Sequence, residues 1–402
     1  MAPGTIGLLG FVVLFLLIFL KVPIAFSFGL IGFLGFAYLS SFQAAMTTLI
    51  TTVWSYATSY VLMDQDSGRL LVNHNADSRV EPASITKIMT AYVAFQQLAD
   101  GDLKLDEQVT ISEKAWRAEG SRTFLKVGSQ IDVETLIKGM IVQSGNDASI
   151  ALAEHIAGAE ESFAGLMNQY AQKLGMTNTH FMNATGLPDP NHYTTAHDIA
   201  LMAQAMIRDF PQYYTWYSIR KLLFNGIEQH NRNRLLWRDA SVDGLKTGHT
   251  SSAGYCLVSS AKRDQMRLIS VVMGTPSDND RMNNSQALLN YGFRFYSTHL
   301  LYPAGEVVTE APVWMGKVNK VALTLPKDLY ITVPRGQYEG VKTLAEVQEK
   351  LTAPLPVDAA IGTLVVRFND EPLLEAPLYP KQAVERGNWL KRLWHWLLLW
   401  FK

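Results

Sequence analysis

The sequence predicts an α+β protein: an antiparallel sheet with helices, followed by a small all-β sandwich, framed by N-terminal membrane helices and a C-terminal amphipathic helix. Three observations carry this. Long helix-periodic segments lie between strand-like runs in the first three quarters of the chain. Near Pro303 the texture changes to short Val-rich runs such as "KVALTLP", "LYITVP" and "TLVVRFNDEPL", broken by Pro and Gly. Both chain ends are strongly apolar. The predicted segments are a hydrophobic stretch over 1–50, a first domain over 57–302, the β-sandwich over 303–383 and the terminal helix over 387–402.

The chain opens on two apolar runs, 5–20 and 24–41, separated only by Lys21, Val22 and Pro23. Each is near the ~20 residues that cross a bilayer. A cleaved signal peptide would want a basic start and a small-residue cleavage site, whereas no Lys or Arg precedes position 21. Two membrane helices are therefore expected. With Lys21 in a cytoplasmic turn, the rest of the chain emerges on the far side of the membrane.

"SYVLMDQDSGRLLVNHN" reads as a strand pair turning at Asp66, Ser67 and Gly68. "SITKIMTAYVAFQQLADG" reads as a helix stopped by its glycine, and "DVETLIKGMIVQ" and "ASIALAEHIAG" as helices flanking "SGND". "TAHDIALMAQAMIRDF" starts with a capping pattern from Thr195 to Asp198. "AGYCLVSSA" and "MRLISVVMG" read as adjacent strands. At 100° per residue, "GNWLKRLWHWLLLWFK" gathers Asn388, Lys391, Arg392, His395 and Lys402 into one arc, with four tryptophans and the leucines covering the rest. Too short to span, it has the composition of a helix lying in the membrane interface.

Composition narrows the function classes. The 402 residues carry 35 basic and 36 acidic side chains, so no nucleic-acid partner is expected. Cys256 is the single cysteine, which excludes an intrachain disulfide and reads as a buried thiol.

Chemistry concentrates in three short motifs. Ser84 and Lys87 form Ser-x-x-Lys, but so do Ser218 with Lys221 and Ser259 with Lys262. What separates Ser84 is its place after Pro82 and Ala83 at the start of a helix, which sets Ser84 and Lys87 one turn apart on one face. A Ser-Gly-Asn motif follows at Ser144 to Asn146, and Lys-Thr-Gly at Lys246 to Gly248 before an apolar strand. Ser277 to Asn279 is a second Ser-x-Asn, so each motif alone is weak. Ordered and placed on the expected elements, they are specific.

With "QSGNDASIALAEHIAG", "TNTHFMNATGLPD" and "VDGLKTGHTSSAGYCLV", the chain from about Ala57 to Lys402 resembles a low-molecular-mass penicillin-binding protein of the serine D-alanyl-D-alanine carboxypeptidase type. The resemblance implies a penicillin-binding/β-lactamase-like transpeptidase domain that removes the terminal D-alanine from peptidoglycan pentapeptides. Ser84 is then the acylated nucleophile and Lys87 its base, neutral through burial and a nearby cation, Lys246. Ser144 would relay a proton to the leaving amine and Asn146 bind the substrate backbone. Lys246 and Thr247 would hold the terminal carboxylate, and Gly248 would let the strand come close. The N–H groups of Ser84 and His249 would form the oxyanion hole. Arg281, following the strand "MRLISVVMG", is a further candidate for the carboxylate or else a surface arginine in a loop, with Arg232 and Arg234 behind it; Asp147 and Asp198 read as structural, the latter as a helix cap. The implied partners are the pentapeptide, β-lactam antibiotics and cytoplasmic membrane lipids. No metal or cofactor is expected, and the implied location is the bacterial inner membrane with the catalytic domain periplasmic.

Two alternatives use the same site. A β-lactamase needs an extra group to activate water, and the interval after the second motif, "NATGLPDPNHYTTAHDIA", has no Glu-x-x-Leu-Asn element. A peptidoglycan endopeptidase differs only in the bond cut. The first 50 residues, with "KVPIAF" and a Gly-rich second run, are similar to the start of the large membrane subunit of tripartite ATP-independent periplasmic transporters. Two helices cannot build a transport pathway of the inverted-repeat kind, so an anchor is expected.

Overall fold

Alternating side chains on one sheet divide the first domain into two cores. A computed structural model describes residues 3–20, 30–32, 34, 35, 37, 38 and 57–400. The sheet comprises β1 (Ser59–Asp64), β2 (Leu70–His74), β3 (Val242–Thr250), β4 (Gly254–Arg263) and β5 (Met266–Thr275), in the order β2-β1-β5-β4-β3 with every pair antiparallel. On β1, Val61 and Met63 enter one core while Tyr60 and Leu62 enter the other. β5 divides likewise, with Ile269, Val271 and Met273 on one side and Leu268 and Val272 on the other. Being covered on both faces makes these strands apolar throughout instead of alternating.

At the N-terminus, α1 covers Pro3–Phe19. Its 17 residues extend about 25 Å, less than the ~30 Å of a hydrocarbon core. Among the described residues no helix is long and apolar enough to cross a membrane. Most of the second apolar run, 24–41, lies outside the described residues, so the expected pair of spanning helices is not seen.

One face of the sheet is covered by α2 (Lys87–Asp100), α3 (Val133–Val142), α4 (Asn146–Ala157), α5 (Glu160–Lys173) and α6 (Ala196–Asp209), and the other by α7 (Asp278–Phe295). Their ends follow local chemistry. Gly101, at φ +84°, stops α2 in the left-handed conformation that glycine adopts freely. Asp132 caps α3 through the Thr135 N–H, and Thr195 caps α6 through the Asp198 N–H. Asp198 is not itself the cap: its carboxylate accepts from the Asn178 N–H and the Thr179 hydroxyl, tying the preceding loop to the helix.

The duplicate motifs resolve into ordinary structure. Ser277 is the N-cap of α7 and accepts from the Asp280 N–H. Ser218 ends a 3₁₀ turn, donating to the Thr215 carbonyl. Ser259 and Lys262 lie on β4, where residues three apart face opposite sides of the sheet.

The second domain begins earlier than 303. β6 (Tyr296–Tyr302) pairs with β9 (Leu329–Pro334), while β7 (Val307–Trp314), β8 (Lys320–Thr324), β10 (Val341–Val347), β11 (Leu351–Thr352), β12 (Gly362–Phe368) and β13 (Glu371–Pro380) form a sheet in the order β10-β12-β13-β8-β7-β11. Both sheets feed one core, with Ile331 and Val333 from the first and Leu323, Leu364, Val366 and Leu378 from the second. Pro303 therefore marks a turn inside this domain. Bridges from Leu355 to Val384 and from Gly316 to Arg386 keep the chain in it beyond 383.

The terminal helix α8 (Trp389–Trp400) lies on this domain by its polar arc. His395 Nδ1 accepts the Met315 N–H at 2.8 Å, and Lys391 Nζ donates to the Lys317 carbonyl at 3.0 Å. Trp389, Trp394 and Leu390 stay exposed. This is the reverse of a helix burying its apolar face in its own protein.

A polar seam joins the two domains around Asp64, which is fully buried. Its carboxylate accepts from the Ser67 N–H (2.8 Å), the Ser67 hydroxyl (2.6 Å) and, across the seam, the Thr298 hydroxyl (2.6 Å). Ser67 Oγ also lies 2.7 Å from Thr332 Oγ1. Asp64→Ala leaves these donors without their acceptor at the half-buried seam, and is expected to lower unfolding stability by about 2 kcal/mol in denaturant titration.

Candidate active site

Ser84 stands on a single 3₁₀ turn, Ala83–Thr86, immediately before α2. That turn is unusual: Ala83 has φ +47°, a left-handed conformation costly for a residue with a Cβ. Its neighbours are glycines for steric reasons. A Cβ on Gly186, itself at φ +82°, would meet the Ala83 carbonyl oxygen at 1.8 Å. One on Gly248 would come within 3.1 Å of the Pro82 carbonyl. The turn is thus wedged between the loop at 186 and the edge strand β3.

Lys87, the first residue of α2, is 1% exposed. Its Nζ is 2.9 Å from Ser84 Oγ and 2.5 Å from the Thr185 carbonyl oxygen. Burial pulls its pKa down to about 7; the Arg232 charge adds to the depression, and Asp147 and Glu160 oppose it. The second cation acting on Lys87 is therefore Arg232, where Lys246 was expected. Lys246 is itself buried and held well below its usual value, first by desolvation and then by the Lys87 charge.

The opposite wall comes from the junction of α3 and α4. Ser144, at φ +65°, ends the first helix and Asn146 begins the second. Asn146 Nδ2 donates to the Glu119 carbonyl at 2.6 Å, and its backbone N–H to Ser121. Asp147 is structural, as expected: it accepts the N–H groups of Thr123 (2.8 Å) and Leu125 (3.1 Å), pinning the loop that flanks the site. Ser144 Oγ and Asn146 Oδ1 are buried and have no hydrogen-bond partner among the described residues. Both residues line a cleft of about 540 Å³, with these two unpartnered atoms just beneath its surface.

Ser84, Thr247, Gly248, His249 and Arg281 line the same cleft, while Lys87 and Lys246 lie beneath its surface. The His249 ring packs against Tyr255 at a tilt of 36°, with centroids 4.0 Å apart. Arg281 is not in a loop. It sits in the first turn of α7 and is buried, with Nη1 donating to the carbonyls of Gly248 (2.9 Å) and Cys256 (3.2 Å). The polar run "SDNDRMNN" has no apolar stripe, so its helix is invisible to periodicity.

Arg232, one of the weaker candidates in the sequence, belongs to the cleft. It lines the cleft and has no hydrogen-bond partner among the described residues, whereas Arg234 points outward to Asp278. The signal was in the flanking asparagines: Asn231 Nδ2 bonds the Tyr217 and Ile219 carbonyls and Asn233 Nδ2 the Gly244 carbonyl, fixing the loop that presents Arg232.

The chain is similar to known proteins in both sequence and fold. A family profile described as D-alanyl-D-alanine carboxypeptidase matches residues 47–277, more than half of the chain. The chain belongs to that family. A second profile, the penicillin-binding protein 5 C-terminal domain, matches residues 296–386, which agrees with the boundary set by β6. D-alanyl-D-alanine carboxypeptidase DacC of Escherichia coli is 45% identical over 356 residues, covering 86% of this chain and 88% of its own. Among solved structures, penicillin-binding protein 5 of Haemophilus influenzae superposes with a TM-score of 0.79 at 43% identity, over 82% of this chain and 98% of its own. Penicillin-binding protein D2 of Listeria monocytogenes, solved in an ampicillin-bound form, superposes with a TM-score of 0.55 at 29% identity, over 59% of this chain and 98% of its own.

For this D-alanyl-D-alanine carboxypeptidase family member, the pKa of Lys87 has a direct consequence. Only the neutral amine offers a lone pair to the Ser84 hydroxyl, and the neutral fraction grows as pH rises. Acylation of Ser84 is expected to increase about tenfold per pH unit below 7 and to level off above it. Adduct formation followed by intact-protein mass spectrometry from pH 5 to 9 checks this.

Proposed function

We propose that the protein removes the terminal D-alanine from peptidoglycan pentapeptides through an acyl-enzyme on Ser84. The observation that carries this reading is the buried Lys87 amine, near neutrality and 2.9 Å from Ser84 Oγ at the floor of a cleft.

In this reading Lys87 takes the hydroxyl proton as Ser84 Oγ attacks the carbonyl of the D-Ala–D-Ala bond. The developing oxyanion is met by the N–H groups of Ser84 and His249. Lys87 returns that proton through Ser144 to the departing amine, so that free D-alanine leaves, Lys87 is neutral again and an ester to Ser84 remains. Water then attacks the ester as Lys87 takes its proton and returns it to Ser84 Oγ, and the shortened peptide is released as an acid that ionises to its carboxylate. Asn146 aligns the peptide backbone, its unpartnered Oδ1 serving as acceptor.

The terminal carboxylate is proposed to lie between Thr247 and Arg232. Arg281, whose Nη1 is committed to two carbonyls, braces the strand end there. Lys246, under the surface, adds positive charge from below and not through direct contact. β-Lactams are proposed to acylate the same serine and stay, because the interval after Asn146 lacks the water-activating Glu-x-x-Leu-Asn element.

A membrane attachment with the catalytic domain periplasmic fits the substrate. The outward tryptophans of α8 supply an interfacial contact to cytoplasmic membrane lipids, and the first 50 residues, proposed as an anchor, supply another.

After incubation with a penicillin, the mapped adduct is expected on Ser84; an adduct on Ser144, Ser218 or Ser259 sinks the assignment. Lys87→Arg is expected to abolish acylation although it keeps the charge, because a guanidinium does not surrender its proton. Near-wild-type acylation in that variant rules out the base role.

Deleting residues 388–402 is expected to leave D-alanine release from a soluble peptide unchanged and to reduce binding to anionic vesicles. Vesicle binding by a chain lacking both these residues and the first 50 would defeat the attachment reading.

A further inference from the structure

The turn carrying Ser84 is gripped from below by a residue with no part in the chemistry just described. His192 closes the loop that begins at Asn183, and its ring is buried under the start of α2. Its Nε2 lies 3.0 Å from the hydroxyl of Thr86, the residue just before Lys87 in the Ser-x-x-Lys turn. Both side chains are closed off from solvent. Phe181 packs edge-on to the ring at 5.7 Å.

Three features make this contact more than filler. Thr86 stands at the N-cap of α2, where a threonine ordinarily caps through its side chain, yet it makes no such bond. Its hydroxyl is given to His192 instead. The turn cannot hold its shape by propensity, since Ala83 is in the left-handed region.

The third feature is the proton. Burial depresses the imidazole to about 4, so the ring is neutral and carries one N–H. Nδ1 is buried without a partner among the described residues. Nε2 and Thr86 Oγ1 are therefore the pair through which the ring bonds, one donating to the other.

We infer that His192 is a positioning residue for acylation, which through Nε2 and the Thr86 hydroxyl fixes the turn that sets Ser84 Oγ against Lys87 Nζ. This rests on Ser84 being the acylated residue. The device acts on geometry alone, and near-attack alignment is sensitive enough for a displacement of about 1 Å to cost roughly 10²-fold.

Two substitutions separate the hydrogen bond from packing. His192→Phe keeps a ring against Phe181 but has no donor; His192→Gln loses the ring but can place an amide nitrogen where Nε2 was. The second-order rate of acylation by a fluorescently labelled penicillin is expected to fall roughly 10²-fold in His192→Phe and to recover most of the way in His192→Gln. Thr86→Val should repeat the loss and Thr86→Ser should not. Were the ring only packing, the order would reverse, with Phe close to wild type and Gln impaired. A wild-type rate in His192→Phe, or in Thr86→Val should the Phe variant fail to show a cooperative thermal transition, overturns the inference. Ser84 labelled in the unsubstituted protein alongside that result leaves the proposed function standing; no label on Ser84 there overturns both.

Discussion

The burial of one lysine governs this molecule. An ammonium group removed from water loses its hydration, and unless a carboxylate neutralises it the proton becomes easy to give up. Lys87 has no such partner at contact distance among the described residues; it has a carbonyl and the Ser84 hydroxyl. Everything around it serves to keep water out and the hydroxyl in place. The 3₁₀ turn brings Ser84 back over the lysine, and Gly186 and Gly248 let two backbones close on that turn from either side. A second lysine, Lys246, is buried as well, and the Lys87 charge adds to the desolvation that holds it well below its usual value.

A site of this kind needs a rigid frame, because the left-handed backbone at Ala83 and Ser144 persists only where its surroundings over-determine it. The frame is the five-stranded sheet with a core on each face. One of those cores includes the apolar sides of α2, α3 and α4, the helices whose ends carry Lys87, Ser144 and Asn146. Asp147 extends the frame to the flanking loop, and Arg281 to the end of β3, by bonding backbone groups that have no regular partners. Carboxylates and guanidinium groups here act as structural pins as much as chemical agents.

The second domain stands apart from this chemistry and is bound to the first by hydroxyls, one carboxylate and the guanidinium groups of Arg69 and Arg335, which bond backbone carbonyls across the seam. Asp64 ends β1, next to the edge strand β2, and takes a proton donor from each side of the seam, so the seam is specified by directional bonds. Beyond it, α8 turns its polar arc to the protein and its tryptophans outward. An amphipathic segment settles that way when a better apolar medium is available outside than within.

Wherever information was local, the sequence alone determined the outcome. Turn and cap residues such as Gly101, Asp132 and Thr195 set helix ends because their bonds run to groups three or four residues away. The ordered motifs singled out Ser84, Lys87, Ser144, Asn146 and the Lys246 strand, and the fold brings all of them to one cleft. Tertiary structure decided what depends on distance across the chain. That Arg232, and not Lys246, is the second cation felt by Lys87 follows from a loop 145 positions away being folded over it. That Arg281 is a buried brace, and that β6 pairs into the second domain, could not be read from segments with no periodic stripe of their own. The grip of His192 on Thr86, two residues 106 apart in the chain, exists only once the loop closes, since a hydrogen bond of 3.0 Å is a property of folded coordinates and leaves no mark in spacing.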